Sequence, residues 1–492
     1  MSKGSFGKKI IALSVLFLLP LLDANAQQIA SGRLISLGGL STSISTDVDA
    51  IGTNPANLAA LSRGNVVIEF APISVSVGSD FLSLQLYNDY FTGTGQTDSA
   101  GNNIGTFLTP SDKQKILDAF PDGVGNVRFN TDIRVLAVSV RGANYGVSVS
   151  IDEKIGGKIS LPNSILFPLN GNPPGSTISW NDMGAKSWWY RSYNVDYAMK
   201  IPHMVFVPKE IANDFSFGAG VKYVTGFSYA FMRSTNTSLY TDSTNYAYTV
   251  NMGFNGTRAG LISNVISKSA KSAVGDTVVN FDPLSPAGTG FGFDLGASAR
   301  IMGFIKVGAS FTDIGSISWS KNVVTTTGDT SFTFAGFSPA PNNVPNATSN
   351  LDSLKNAFND YFKNKDQAGS NFSTSLPTKF NLGASVQLDE LFPMIPGQLL
   401  VGVDYHQGLN KSFNNSTNPE FILGAEWKPI GILPIRTGLG FGGAFGFRWS
   451  LGFGIDLPFW DIDLGVGTFN AVVAPYAAKS VSIVLSVAKF RF

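Results

Sequence analysis

The chain has no cysteine and only two histidines, His203 and His406. Disulfide staples, thiolate metal sites and cysteine nucleophiles are excluded, and two histidines are too few for a histidine-based metal cluster. His203 follows Pro202 in a turn, and both histidines read as structural. Charge is sparse and balanced, with 35 basic against 34 acidic residues, so no basic footprint points to nucleic acid. No apolar run reaches the roughly 18 residues of a spanning helix, which excludes a helical membrane protein.

The one apolar stretch at the front is short. Lys3, Lys8 and Lys9 precede the apolar run from Ile10 to Leu22, and Ala24-Asn25-Ala26 supplies a small-x-small cleavage pattern. This predicts a signal peptide over residues 1–26, an exported chain and a mature start at Gln27.

What is abundant is glycine and phenylalanine, 53 and 38 residues. They sit in runs that alternate with period two. Tyr145, Val147, Val149 and Ile151 alternate with Gly146, Ser148, Ser150 and Asp152. Phe215, Phe217, Ala219, Val221 and Tyr223 alternate with Ser216, Gly218, Gly220 and Lys222, and Phe291 to Ala297 repeats the pattern. One face is aliphatic and aromatic; the other is Gly, Ser, Asn, Asp or Lys. A soluble sandwich also alternates, but it does not explain a polar face so rich in Gly and Ser. A transmembrane barrel strand does, apolar toward lipid and polar toward the lumen.

A charge on the lipid face near the midplane costs about 2–4 kcal/mol, so charges belong on the inner face. The lumen-facing candidates are Asp152, Lys222, Asp294, Lys306, Glu426, Arg448, Asp456, Asp461 and Asp463. The fold class expected is all-β, a transmembrane antiparallel barrel of 14 strands with both chain ends in the periplasm, set in the bacterial outer membrane among its lipids. A strand-rich piece at Tyr246–Val250 within 229–290 would raise the count to 16 by adding a hairpin. Short connections such as Gly142-Ala143-Asn144 and Pro458-Phe459 alternate with long excursions at 78–131, 156–187, 229–290 and 319–377, the outer-membrane asymmetry. Two excursions carry helical patterns, Pro110–Phe120 with Ser111 as candidate N-cap, and Leu351–Phe362.

Residues 27–63, ahead of the first strand, are too structured in composition to be a tail. Asn54-Pro55 is a helix start, with Asn as N-cap and Pro in the first turn; Asp47 is a candidate cap for an earlier turn. Gly38-Gly39 permits close approach or positive φ. The stretch GGLSTSISTDVDAIGTNPANLA resembles the N-terminal signature of the FadL/TodX family of outer-membrane transporters for long-chain fatty acids and other hydrophobic compounds. The residues that carry the resemblance are Gly38, Gly39, Asp47, Asp49, Asn54, Pro55 and Ala56. Segments 436–443, 451–457 and 463–469 resemble that superfamily's strands, in the style of uncharacterised FadL-like barrels from bacteria with type IX secretion.

The resemblance implies that the N-terminal segment is a hatch inside the lumen, with those residues as its gate. It also implies that a hydrophobic ligand binds from outside and leaves sideways through a kinked strand. No basic set dedicated to an anionic head group stands out in the sequence; Lys222, Lys306 and Arg448 are the inward candidates.

Catalytic patterns fail on context. Gly438–Gly443 matches GxGxxG, but a strand rather than a helix follows it, and no cofactor is expected. Asp461 and Asp463 share a strand face and read as lumen charges, so no enzyme is expected. Strict alternation in the closing strand, counted back from Phe490 and Phe492 on the lipid side, turns Val481, Ile483, Leu485 and Val487 inward. Phe492 itself reads as the aromatic recognised by barrel-assembly machinery. The expected function is a channel for hydrophobic small molecules such as long-chain fatty acids. The alternative is a non-transport scaffold linked to secretion or surface attachment.

Overall fold

The computed structural model describes residues 30–201, 207–208, 211–263, 285–334, 366–444 and 446–492. The signal peptide, residues 27–29, His203 and the Leu351–Phe362 stripe lie outside these residues.

Period-two sequence builds a closed antiparallel barrel of 14 staves. They are β1 (Val66–Phe70 continued by Ile73–Ser79), β2 (Val124–Arg141), β3 (Tyr145–Pro162), β4 (Gly184–Ile201) and β5 (Ala212–Ser234). Next come β6 (Gly288–Ile301), β7 (Ile305–Trp319), β8 (Phe372–Ser375 continued by Lys379–Gln387), β9 (Gln398–Gly408) and β10 (Glu420–Lys428). The last four are β11 (Ile435–Gly442), β12 (Arg448–Asp456), β13 (Trp460–Val466) and β14 (Ser480–Arg491). Each pairs with the next, and β14 returns to β1, where the Asn65 N–H donates to the Phe492 carbonyl at 2.8 Å. Closure removes every sheet edge from the membrane, the condition for strands to span it.

Apolar side chains cover the outside: Val195, Phe291, Phe421 and Phe453 are each more than half exposed, while Ser148, Ser150, Asp152 and Lys222 on the opposite face are buried. This lipid-facing band, with short turns and both wall ends on one rim and long excursions on the other, is the architecture of a bacterial outer-membrane barrel.

The structure departs from the sequence reading in several places. Among the described residues the 229–290 excursion adds no pair of staves. Tyr248–Gly260 instead pairs with Val324–Phe334, and with Ser238–Thr241 and Asp366–Ala368 it forms a sheet above the wall, so the count stays at 14. Staves β2, β3, β4 and β5 run several residues beyond the apolar alternation on the extracellular side, where water replaces lipid and the outward pattern relaxes. The helix at Pro110–Asp118 is capped by Thr109, not Ser111, in a reciprocal box with Asp112. Its Ile116 is buried, and Phe120 stacks on Phe81 at 4.3 Å.

The closing strand is also corrected. Ile483, Leu485 and Val487 are 44–48% exposed and face lipid together with Phe490, while Ser482, Val484, Ser486 and Lys489 face inward. Both sets fit because β14 carries an extra residue against β13: Asp461 pairs with Lys489, but Asp463 pairs with Ser486. A bulge resets the alternation.

Two more irregularities lie beside that bulge. Stave β1 breaks at Ala71-Pro72, where Ala71 has φ +47° and Pro72 has no N–H to donate. On its other side β2 carries an extra residue, Val135, against β3. The registers place Ala71-Pro72 between Val135-Arg134 and Val487-Ser486. Three adjacent staves are thus disturbed at one height, a seam in the wall.

Candidate functional site

The N-terminal segment lies inside the barrel, and nearly all of residues 30–60 are buried. A helix at Gly32–Ser36, capped by Ser31, leads to a turn at Gly38 and Gly39, with φ +74° and +97°. Two single-turn 3-10 helices follow, Asp47–Ala50 and Pro55–Ala59. Asn54 caps the second: its Oδ1 accepts from the Ala56 N–H at 3.2 Å. Its Nδ2 donates to Thr42 O at 2.9 Å and to Ala297 O of β6 at 3.2 Å, so one amide ties two turns of the segment to the wall. Asp47 does not cap the first turn, where Thr46 is the N-cap and makes no side-chain capping bond, its hydroxyl donating to the Asp47 carboxylate at 3.2 Å. Its carboxylate is drawn instead to cations at the end of β14.

Glycines on the inner face make room for this segment. A Cβ at Gly438 of β11 would overlap the backbone of Leu37 and Gly38, and one at Gly218 of β5 would overlap that of Pro55 and Ala56. Larger inner residues would fill the space the segment occupies, which gives the Gly-rich polar face a packing reason.

Charge fastens the segment around the lumen. Lys489 Nζ lies 2.9 Å from Asp49 and 3.1 Å from Asp47, and Arg491 Nη1 donates to Asp47 at 2.9 Å. Burial pushes the Asp47 carboxyl up, but Lys489 and then Arg491 outweigh it and hold it well below the ordinary carboxylate range. Arg33 meets Glu426 at 3.0 Å, and Glu426 also takes Arg436, which reaches on to Asp463. Arg63 bridges Asp456 and Asp461 at 3.2 and 2.8 Å. The Ser41 and Thr42 N–H groups both donate to Asp404 at 2.8 Å, with His406 Nε2 3.1 Å from the same oxygen. Arg448 donates to Gly38 O at 2.9 Å. Arg134 donates to Val48 O at 2.7 Å, which links the segment to the seam.

Glu426, Arg448, Asp456, Asp461 and Asp463 therefore gather on the β10–β14 side of the lumen. Lys222 and Asp294 form a separate pair at 2.9 Å across β5 and β6, shared with Asp313. Lys306 has no carboxylate partner among the described residues and lines a periplasmic cavity of about 260 Å³ with Arg33 and Gln398. Sequence reasoning missed Arg33, Arg63, Arg134, Asp404, Arg436, Lys489 and Arg491. Lys489 and Arg491 fall inward in the alternation counted back from Phe490 and Phe492, so the closing strand held the signal for both. No group of three metal-ligating side chains occurs among the described residues.

Above the segment a second closure crosses the lumen. The 409–419 connection between β9 and β10 folds into the barrel mouth and buries Phe413 completely, with Trp188 and Tyr190 at 5.4 and 5.0 Å. Asn414 Nδ2 donates to Gly157 O at 3.0 Å and Asn130 Oδ1 at 3.2 Å on the opposite wall. Val224, Ile317, Trp319 and Leu376 complete an apolar layer there. Outside it opens a vestibule of about 860 Å³; between it and the N-terminal segment lie cavities of about 80 and 40 Å³.

Among solved structures, the chain is similar to the Ralstonia pickettii toluene transporter TbuX, with 13% identity over 95% of this chain and 99% of that one, TM-score 0.45. It is similar to the Pseudomonas putida toluene transporter TodX, with 11% identity over 96% and 99%, TM-score 0.42. A Pseudomonas aeruginosa FadL homologue gives 12% identity over 94% and 98%, TM-score 0.43. No curated protein matches the sequence. One family profile does, over residues 55–459 and so across almost the whole barrel wall, and the chain belongs to that family, DUF5723, a family of unknown function.

Proposed function

We propose that this protein is a plugged outer-membrane channel that admits hydrophobic small molecules, long-chain fatty acids among them, and releases them sideways through the seam at Ala71-Pro72. The observation that carries this reading is the link between plug and seam. Arg134, at the disturbed height of β2, holds Val48 O, and Val48 and Ile51 pack on Val67 and Ala137 of the flanking staves. A shift of the N-terminal segment therefore acts directly on the seam.

Axial passage suits such cargo poorly. An acyl chain loses about 0.8 kcal/mol for every methylene it carries from an apolar site into water. The lumen beside the segment is lined by Asp152, Lys154, Asn194, Lys222 and Asp313. The apolar layer of Trp188, Tyr190, Trp319 and Phe413 is a stop on the outer side, and lipid lies directly beyond the seam.

The test closes the seam. Ala71 and Val135 are opposite each other and both exposed, so Ala71→Cys with Val135→Cys can be cross-linked. Uptake of labelled oleate and toluene by cells carrying the protein should fall at least tenfold on oxidation and return on reduction. Uptake that ignores the cross-link removes the lateral route. Absence of uptake above barrel-free cells removes the transport reading and leaves the scaffold for secretion or surface attachment. The sheet standing above the wall, with Tyr246 and Tyr248 exposed, favours that second reading.

A further inference from the structure

We propose that the extracellular vestibule is a binding site for a phosphate monoester, held by Lys158, Lys186 and Lys411 beside Arg128. Strand register carries the inference. Arg128 of β2 pairs directly with Lys158 of β3, and Lys158 pairs directly with Lys186 of β4. Three cations stand side by side across three neighbouring staves, about 4.8 Å apart from one stave to the next, and all line the same cavity. Like charges directly opposite in a sheet are destabilising, so such a row needs a counter-charge.

The protein supplies only part of it. Asp80 meets Arg128 at 3.1 Å, but Lys158, Lys186 and Lys411 have no carboxylate partner among the described residues. Lys186 Nζ sits 5.6 Å from the Phe413 ring and 5.7 Å from that of Tyr229, contacts that hold a cation without neutralising it. Deeper in the lumen Lys154, Lys222 and Lys489 each meet a carboxylate at 2.9–3.2 Å, while Lys306 has none among the described residues. Lys411 reaches the cavity from the 409–419 connection, across from the row.

Charge selects the ligand class. Five cationic side chains and three carboxylates line the vestibule, an excess of two positive charges. A phosphate monoester carries about −1.5 to −2 at neutral pH and presents three strong acceptor oxygens, which matches that excess; a monocarboxylate leaves half of it uncompensated. The inference stands apart from the nature of the transported cargo.

The full-length protein in detergent, at constant ionic strength, is titrated with glycerol 3-phosphate and with acetate, following intrinsic tryptophan fluorescence and the temperature of unfolding. Glycerol 3-phosphate should bind saturably, at least tenfold more tightly than acetate, and raise the unfolding temperature. Lys158→Gln with Lys186→Gln should weaken it at least tenfold while the barrel keeps its heat-modifiable migration; Lys158→Arg should retain it. Equal responses to phosphate ester and acetate, or unchanged binding by the double Gln variant, overturn the proposal. Lysophosphatidic acid distinguishes the source: tighter binding than glycerol 3-phosphate marks a lipid head-group site, and equal binding marks a soluble ester.

Discussion

Lys489 and Asp49, 440 residues apart in the chain, meet at 2.9 Å inside the lumen. The pair joins the last stave to the segment that precedes the first, so the seating of that segment is tied to the strand that closes the barrel.

Removing the Lys489 ammonium should uncouple the two. In Lys489→Met, Asp47 and Asp49 lose their shared ammonium, and breaking a buried pair costs about 3–5 kcal/mol. The temperature at which the folded band converts to the unfolded one on semi-native gels should drop. Adding Asp47→Asn and Asp49→Asn should recover part of the loss; no recovery would mean that Lys489 acts through packing alone.

Acid should release the plug within a defined window. The Asp47 carboxyl is held below its ordinary value, so its contribution is complete above the unfolded value near 3.9 and is lost as pH falls through the lower folded value. Proteolysis within residues 30–60 should rise below about pH 4. Asp47→Asn should flatten the acid limb, and a transition near neutrality would assign the switch to another group.

Bulk on the inner wall should unseat the plug while the wall itself remains. Gly438→Val and Gly218→Val each place carbon where backbone of the N-terminal segment now lies. Overpacking costs about 1–3 kcal/mol or more. Heat-modifiable migration should persist while the segment becomes open to protease; continued protection would show that the wall relaxes instead. Gly431, whose Cβ would meet open space, is the matched control.

The outer closure should open independently of the plug. Phe413→Ala removes a buried ring from between Trp188 and Tyr190, a loss of about 3–5 kcal/mol, and Asn414→Ala removes the anchor to β3. In planar bilayers the double variant should show more frequent current steps than the parent. Combined with Gly438→Val it should show larger steps than either alone. Additive silence in all three would place the barrier elsewhere.

The stave set was legible because period-two alternation is a local property: Tyr145 to Asp152 or Phe291 to Ala297 declares its two faces within eight residues. The site was legible only in outline. Asn54-Pro55 announced a capped turn, and its side-chain bond to the Ala56 N–H is a local consequence of those two residues. Asp47 looked like another cap, yet two cations from β14 take its carboxylate, and nothing near Asp47 in the chain points to them. The closing strand misled for a different reason. One extra residue near Val487-Ala488 reverses every face before it, and bulges leave no mark in the alternation of a single strand.

By itself, the sequence determined which residues face lipid and which face inward along each regular stretch, and hence that the chain forms a membrane barrel. Tertiary structure alone decided what the inward residues meet. Arg33 finds Glu426 and Lys489 finds Asp49 only once the barrel has closed around the N-terminal segment with its bulges in place. Those neighbours are set by register around a closed ring, a sum over all 14 staves that no local window of sequence contains.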